Sequence, residues 1–247
     1  MGRLVILSGP SCVGKGPLHA ALKKFHPDLA ASLQPIVLYN SRVPRPKEQD
    51  GVDYHFRPRE DIEALRDDDH FVVMDVRGDL QALDLRDVER LTREGDAFFE
   101  GNPFVGCQLL ECPLPEGVAR VSAFLSPLSR DEVEHLSQPS LHVDLPAFVT
   151  DVMRRKLLRR TTWQKHMLSK PDLEEIERRC TSTWRELQDA WRFDWVIPNH
   201  DGEDSENWTA FYHPLADARK ALLAFAALLR GEDPPPWVER WDEDLVP

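Results

Sequence analysis

The stretch with the most explicit chemistry is Gly9-Pro10-Ser11-Cys12-Val13-Gly14-Lys15-Gly16-Pro17. An apolar run, Leu4 to Leu7, precedes it and a helix-like stretch, Leu18 to Phe25, follows. Strand, glycine loop, lysine and helix together cradle phosphate: backbone N–H groups turn inward and the helix N-terminus adds partial positive charge. Lys15 supplies a full charge for β- and γ-phosphates. The residue after the lysine is ordinarily Ser or Thr, whose hydroxyl holds Mg²⁺. Gly16 has no hydroxyl, and Pro17 brings no N–H, although proline suits a first helical turn.

A second block, Asn40 to Phe56, carries Arg42 and Arg45 three apart and then Tyr54. Two guanidinium forks bind phosphate oxygens bidentately and a phenol adds a donor. Taken alone, the block reads equally well as a solvated loop with incidental arginines. A third cluster, Arg154, Arg155, Lys156, Arg159, Arg160 and Lys165, lies between Val149 and the lysine. It reads either as a basic solvated helix or as a cover for anions.

The elements that must position these groups alternate. Strands are expected at Leu4–Leu7, Ile36–Tyr39, Phe71–Met74, Ala97–Glu100, Val118–Leu125 and Trp195–Ile197. Helices are expected at Leu18–Phe25, Glu60–Arg66, Leu85–Glu94, from Asp131 to Leu136, over a long stretch from Leu173 to Trp191, and at Leu215–Leu229. Alternation of this kind gives an α/β fold with a central parallel sheet. Residues 1–230 read as one domain. The tail 231–247 is acidic and proline-containing, extended, and docked through Trp237 and Trp241.

The chain has 247 residues, enough for a core without disulfides. A formal net charge of −12 disfavours a nucleic-acid partner. Cys12, Cys107, Cys112 and Cys180 show no zinc or disulfide spacing, and reduced thiols point to the cytoplasm. Cys12 reads as a small loop residue. No apolar run approaches membrane-spanning length.

Both blocks resemble guanylate kinases. Gly9 to Pro17 is similar to the family's Gly-Pro-Ser-Gly-x-Gly-Lys-Ser-Thr loop. Asn40 to Phe56 matches its phosphate-clamp block at Arg42, Pro44, Arg45, Glu48, Gly51, Asp53, Tyr54 and Phe56. The resemblance implies a P-loop kinase three-layer fold with a central parallel sheet, an acceptor-binding subdomain at about 40–95 and a helical lid at about 130–180. It implies ATP as co-substrate, Mg²⁺, and a phosphorylated small molecule as acceptor. By motif match, Ser41, Arg42, Arg45 and Tyr54 would hold the acceptor. Lys15, with the lid cations Lys156, Arg160 and Arg179, would stabilise the transferring phosphoryl group. Asn199, in Val196-Ile197-Pro198-Asn199-His200-Asp201, falls near the donor base. Glu100 and Asn102 stand where the family has two acids; Glu100 would face the metal and Asn102 the acceptor.

The departures lie at the base. Counted from the clamp, the guanine-reading Glu falls at Val73, and the Tyr and Ser fall near Ala82 and Asp84, the last still able to meet an acceptor. Guanine specificity is therefore doubtful. Three readings remain open: a phosphotransferase on a nucleoside monophosphate or a related acceptor, a non-catalytic module that binds a phosphorylated partner, and an enzyme that runs another reaction at the phosphate sites.

Overall fold

The computed structural model describes residues 2–45, 48–114 and 116–247; Pro46 and Lys47 of the clamp block lie outside them. In chain order the first half holds β1 (Leu4–Ser8), α1 (Lys15–Phe25), α2 (Pro27–Ser32), β2 (Leu33–Pro35), β3 (Tyr39–Asn40), β4 (His55–Phe56), α3 (Arg59–Ala64), β5 (Phe71–Val76), β6 (Asp79–Asp84), α4 (Leu85–Glu94), β7 (Asp96–Gly101) and α5 (Pro103–Glu111). The second half holds β8 (Arg120–Ser126), α6 (Arg130–Leu136), α7 (Leu145–Lys165), α8 (Lys170–Thr181), α9 (Thr183–Gln188), β9 (Trp195–Pro198) and α10 (Ala216–Arg230).

Five strands form a parallel sheet in the order β2-β7-β1-β8-β9. Every residue of the central strand β1 is buried, as a parallel strand covered on both faces must be. Its side chains alternate between two cores. Leu4 and Ile6 join Phe99, Phe124 and Val196 on one face, while Val5 and Leu7 join Phe98, Leu125 and Phe225 on the other. β1 and β7 run in register to Ser8 opposite Gly101, so the glycine loop and the Glu100–Asn102 segment emerge side by side at the carboxyl ends of the strands. Open parallel sheets bind ligands at that edge.

A second sheet, in the order β4-β3-β6-β5, carries the clamp block and a β5–β6 hairpin. The apolar run 36–39 is thus not one strand of the main sheet. β2 ends at Pro35, one residue before the last ladder bond, from the Ile36 N–H to the Phe98 carbonyl, and Tyr39–Asn40 pairs in the second sheet.

The long helix expected from Leu173 to Trp191 is broken at Ser182 into α8 and α9, and a single 3₁₀ turn ends it. Three successive hydroxyls compete with the helix there: Thr181 Oγ1 bonds the Glu177 carbonyl, Ser182 Oγ that of Arg179, and Thr183 Oγ1 that of Arg179. α5 has no counterpart among the sequence expectations; Asn102 caps it by accepting from the Val105 N–H, and Pro103 starts it. The tail crosses the sheet edge as an antiparallel bridge between Glu239 and Val196, with Trp241 buried. Among the described residues no helix is long and apolar enough to cross a membrane.

Candidate functional site

The loop between β1 and α1 is tightly constrained. A Cβ on Gly9 would lie 2.4 Å from the Leu125 carbonyl oxygen, and one on Gly14 would lie 2.6 Å from Asn199 Nδ2. Gly14 also has φ 104°, in the region that favours glycine. Asn199 is fully buried and donates to the carbonyls of Val13 and Asp201, which ties the 199–208 segment to the loop. Lys15 Nζ donates to the carbonyls of Gly9 and Pro10, each at 2.7 Å. Burial lowers the Lys15 ammonium below its ordinary value, against the pull of Glu203 and Glu100. Burial pushes the Cys12 thiol up to about 12, so it is an inert loop residue.

Gly16 and Pro17 are accommodated simply. The first α1 hydrogen bond runs from the Leu18 N–H to the Gly14 carbonyl, so the N–H that Pro17 lacks would have no partner within the helix. A Cβ on Gly16 would meet one atom within 4 Å, Glu100 Oε1 at 3.8 Å. Glu100 Oε2 is in turn hydrogen-bonded to His19 Nδ1 at 3.0 Å.

The acceptor side is built on the second sheet. Arg42 makes a forked pair with Glu48, at 2.6 and 2.7 Å, and the Arg45 N–H donates to the same carboxylate. The Arg42 guanidinium lies 5.1 Å from the centre of the Tyr54 ring. Burial raises the Glu48 carboxyl, but the bonds from Arg42 and Arg45 outweigh it and hold the group below its usual range. Arg45 reaches across to Glu175 of α8 at 2.8 Å. Ser41 does not face the cleft; its Oγ accepts the Leu80 N–H within the sheet.

One central cleft is lined by Lys15, Ser11 and Cys12 from the loop, by Arg42, Arg45 and Tyr54 from the clamp, and by Asn102. Arg179 of α8 also lines it and donates to Ser11 Oγ at 3.0 Å. Burial, then the nearby charges of Arg160, Arg45 and Arg77, pulls the Arg179 guanidinium down to about 10.

Two lid cations stand elsewhere. Lys156 does not line the cleft: its Nζ is spent on the His200 carbonyl behind the glycine loop. Arg160 is held by Glu203, and the Glu203 side chain, not Arg160, faces the cleft. Burial raises the Glu203 carboxyl, but the charges of Arg160 and Lys15 outweigh it and keep the group low.

The hairpin corrects the base-facing assignments. Val73 pairs with Ala82 and Phe71 with Asp84, and these side chains share the hairpin face that packs on Ile62 of α3. Asp84 caps α4 and pairs with Arg86. The cleft is lined by the other face, Val76, Asp79 and Gln81, together with the turn residue Arg77. A one-residue slip in counting moves every strand side chain to the opposite face, and the two-residue turn Arg77–Gly78 fixes where the count falls. Sequence reasoning missed Arg77, Asp79, Gln81, Glu175, Arg178 and Glu203. Strand parity could have found Asp79 and Gln81; nothing local marks the others.

The family resemblance implies Mg²⁺. Among the described residues no three His, Cys, Asp or Glu side chains converge as a metal cage. Glu100 beside Gly16 suits the other mode, in which Mg²⁺ keeps several waters and takes one carboxylate plus substrate phosphates. The residues present therefore fit a phosphate-borne ion.

The guanylate kinase family model matches residues 1–95. Guanylate kinase of Synechococcus sp. (strain JA-3-3Ab) is 34% identical over 134 residues, which is 54% of this chain and 58% of that protein. That of Listeria monocytogenes serotype 4b (strain F2365) is 34% identical over 135 residues, 54% of this chain and 63% of its own. These matches therefore span about three fifths of the relatives' length. That of Rhodococcus jostii (strain RHA1) is 28% identical over 203 residues, 81% of each chain. The crystal structure of guanylate kinase from Anaplasma phagocytophilum shares the fold, with a TM-score of 0.52 over 93% of this chain and 85% of that one at 17% identity. The order β2-β7-β1-β8-β9 around a glycine loop, with helices on both faces, is the P-loop kinase fold. Over its first 95 residues the chain matches the guanylate kinase family model, and it is similar to guanylate kinases in sequence and in fold.

Proposed function

We propose that the protein transfers the γ-phosphoryl group of ATP to the phosphate of a nucleoside monophosphate or a related small molecule. One observation carries this reading: Lys15 and Arg179 on one side, and Arg42, Arg45 and Tyr54 on the other, open into a single cleft. Phosphoryl transfer needs little covalent chemistry from the protein; it needs two phosphates held in line and their charge neutralised. Lys15 and the loop N–H groups would hold the donor phosphates, and Arg179 would meet the transferring group. Arg42, Arg45 and Tyr54 would hold the acceptor phosphate. Mg²⁺, when bound, would neutralise charge on the donor phosphates, and Glu100 is the carboxylate that would help hold it.

Acceptor recognition falls to Asp79 and Gln81. Neither the positions counted from the clamp (Val73, Ala82, Asp84) nor those one residue earlier (Val72, Gln81, Leu83) carry the family's Glu, Tyr and Ser, which argues against a guanine-reading site of the usual kind. Gln81 Oε1 and Asn40 Nδ2, on residues directly opposite in β6 and β3, are buried with no partner among the described residues. An unfilled acceptor and an unfilled donor suit a ligand edge that both donates and accepts, and leaving them unmet costs about 1–3 kcal/mol each.

A second reading, a phosphate-binding module without transfer, is favoured by Glu203, whose carboxylate faces the donor half of the cleft where phosphates would come. The deciding measurement is ADP formation from Mg-ATP across a panel of nucleoside and sugar monophosphates. The kinase reading expects turnover with at least one panel member above a Lys15→Ala control; turnover with none assigns the cleft to binding alone.

A further inference from the structure

We propose that Arg77, on the turn of the acceptor hairpin, is a direct ligand of the transferring phosphoryl group, and that Glu186 of α9 is the positioning residue that fixes its guanidinium. The inference rests on the two-phosphate reading of the cleft and adds to it a cation from outside the loop, the clamp and the lid motif.

Four observations carry it. Arg77 lines the same cleft as Lys15, Arg45 and Arg179. Its guanidinium is held from behind: Nε donates to Ser182 Oγ at 2.9 Å and to Glu186 Oε1 at 3.0 Å, and Nη2 donates to the same carboxylate oxygen. Nη1 has no hydrogen-bond partner among the described residues, so one edge of the fork is fixed and the other is open. The anchor itself is costly: the Glu186 side chain is fully buried, and its Oε2 is unpartnered among the described residues. An ionised carboxylate in such a place is tolerated only with a cation against it. Finally, Arg77 has φ 57°, in a two-residue hairpin turn whose first position favours Asn or Gly. Arginine there is strained by its Cβ, and strain of this kind gathers where a side chain must be aimed.

The alternative is a tether, in which Arg77 joins the hairpin to α8 and α9. A tether needs the Arg77–Glu186 pair but has no use for the open Nη1 edge. It also does not call for a cation near enough to both Lys15 and Arg179 that its charge, a smaller cause than burial, helps lower each of them.

In the transfer itself, the bond between the γ-phosphorus and the β,γ-bridging oxygen breaks and its electron pair leaves with ADP. A bond from an oxygen of the acceptor phosphate dianion to the same phosphorus forms, and no proton moves. Negative charge spreads over the three equatorial oxygens, where an N–H donor fixed in advance does most good. Arg77 Nη1 offers such a donor from the acceptor side, opposite Lys15.

The test compares wild type with Arg77→Gln/Glu186→Gln, which removes both charges together so that no buried carboxylate is left unpaired. Glu186→Gln alone and Arg77→Lys are measured beside it. Calorimetric titration with tripolyphosphate reads phosphate binding without any turnover. The double variant is expected to bind it about tenfold more weakly, and Glu186→Gln alone within about threefold of wild type, because the guanidinium remains. With Mg-ATP and an accepted monophosphate, the double variant is expected to lose about 100-fold in kcat while KM for ATP moves less than about threefold, and added guanidinium restores part of the loss. Arg77→Lys keeps the ion pair but not the fork; it is expected to lose about tenfold in kcat with an unchanged unfolding temperature, and it decides the matter should the double variant not fold. Tripolyphosphate binding within about twofold of wild type in the double variant, or wild-type kcat in Arg77→Lys, makes Arg77 a tether and overturns the proposal. Wild type that fails to bind tripolyphosphate overturns it as well. Wild type that binds tripolyphosphate but turns over no monophosphate sinks the kinase reading alone, and the binding comparison still judges Arg77.

Discussion

The donor and acceptor halves of the cleft hold their cations by opposite means. On the donor side Lys15, buried, and Arg179, partly buried, are bonded to neutral groups, the carbonyls of Gly9 and Pro10 and the hydroxyl of Ser11. On the acceptor side Arg42 and Arg45 are bonded to carboxylates, Glu48 and Glu175. Neutral partners leave the donor cations with their full charge and little freedom to move. Carboxylate partners must be exchanged for phosphate, so acceptor binding begins by breaking ion pairs. The donor half is built before its ligand arrives, whereas the acceptor half is rebuilt around its ligand.

The comparison predicts that donor-side losses fall on kcat and acceptor-side losses on KM. Arg179→Ala is expected to lower kcat by about 10³ with little change in KM for the acceptor. Arg42→Ala is expected to raise acceptor KM by about 10- to 100-fold, with a smaller effect on kcat. Steady-state kinetics with both substrates varied checks the pair. Equal effects of the two variants on acceptor KM would erase the distinction between the halves.

A smaller change sharpens it. Arg45 is half exposed, and its bond to Glu175 is worth at most about 1 kcal/mol. Glu175→Gln removes that competitor and leaves Arg45 free for the acceptor phosphate. Acceptor KM is expected to fall about two- to fivefold, with kcat held, in the same assay. A rise in KM would mean that Glu175 aims Arg45 rather than competing for it.

These halves were unequally legible in the chain. Gly9 to Lys15, and Arg42, Arg45 and Tyr54, serve chemistry that must be satisfied within a few residues, so their types and spacing show it directly. Asp79 and Gln81 were hidden by parity: a count that is right to within one residue is wrong by a whole strand face. Lys156 has the right type in the right helix, but its direction depends on where the His200 carbonyl lies. Glu203, Glu186 and Arg77 depend on contacts 43 to 109 residues apart, which no local pattern records. The break at Ser182 was visible as Thr181-Ser182-Thr183 but was outweighed by the surrounding helical periodicity.

The rigidity of the donor half has its own dependency, and it titrates. The 199–208 segment that supports the glycine loop is pinned at His200, whose Nδ1 meets Asp217 of α10 at 2.6 Å and whose Nε2 meets Glu132 of α6 at 2.9 Å. An imidazole between two carboxylates donates from both nitrogens only when protonated. Burial pulls its pKa down, but the bonds to Asp217 and Glu132 outweigh burial and raise it above the ordinary 6.5. The clamp therefore adds its full stability below about pH 6.5 and loses it as pH rises through the native value. With His200 half exposed and solvent-screened, the loss is under about 1 kcal/mol. Thermal unfolding from pH 6 to pH 9 is expected to fall more steeply for wild type than for His200→Gln. Hydrogen exchange in the 199–208 segment and the glycine loop is expected to quicken over the same range, after correction for the intrinsic pH dependence of exchange. The Arg42–Glu48 pair, whose partners do not titrate there, serves as the internal reference. If both segments loosen together, the donor half owes no special rigidity to this clamp, and the contrast between the two halves narrows to their partners alone.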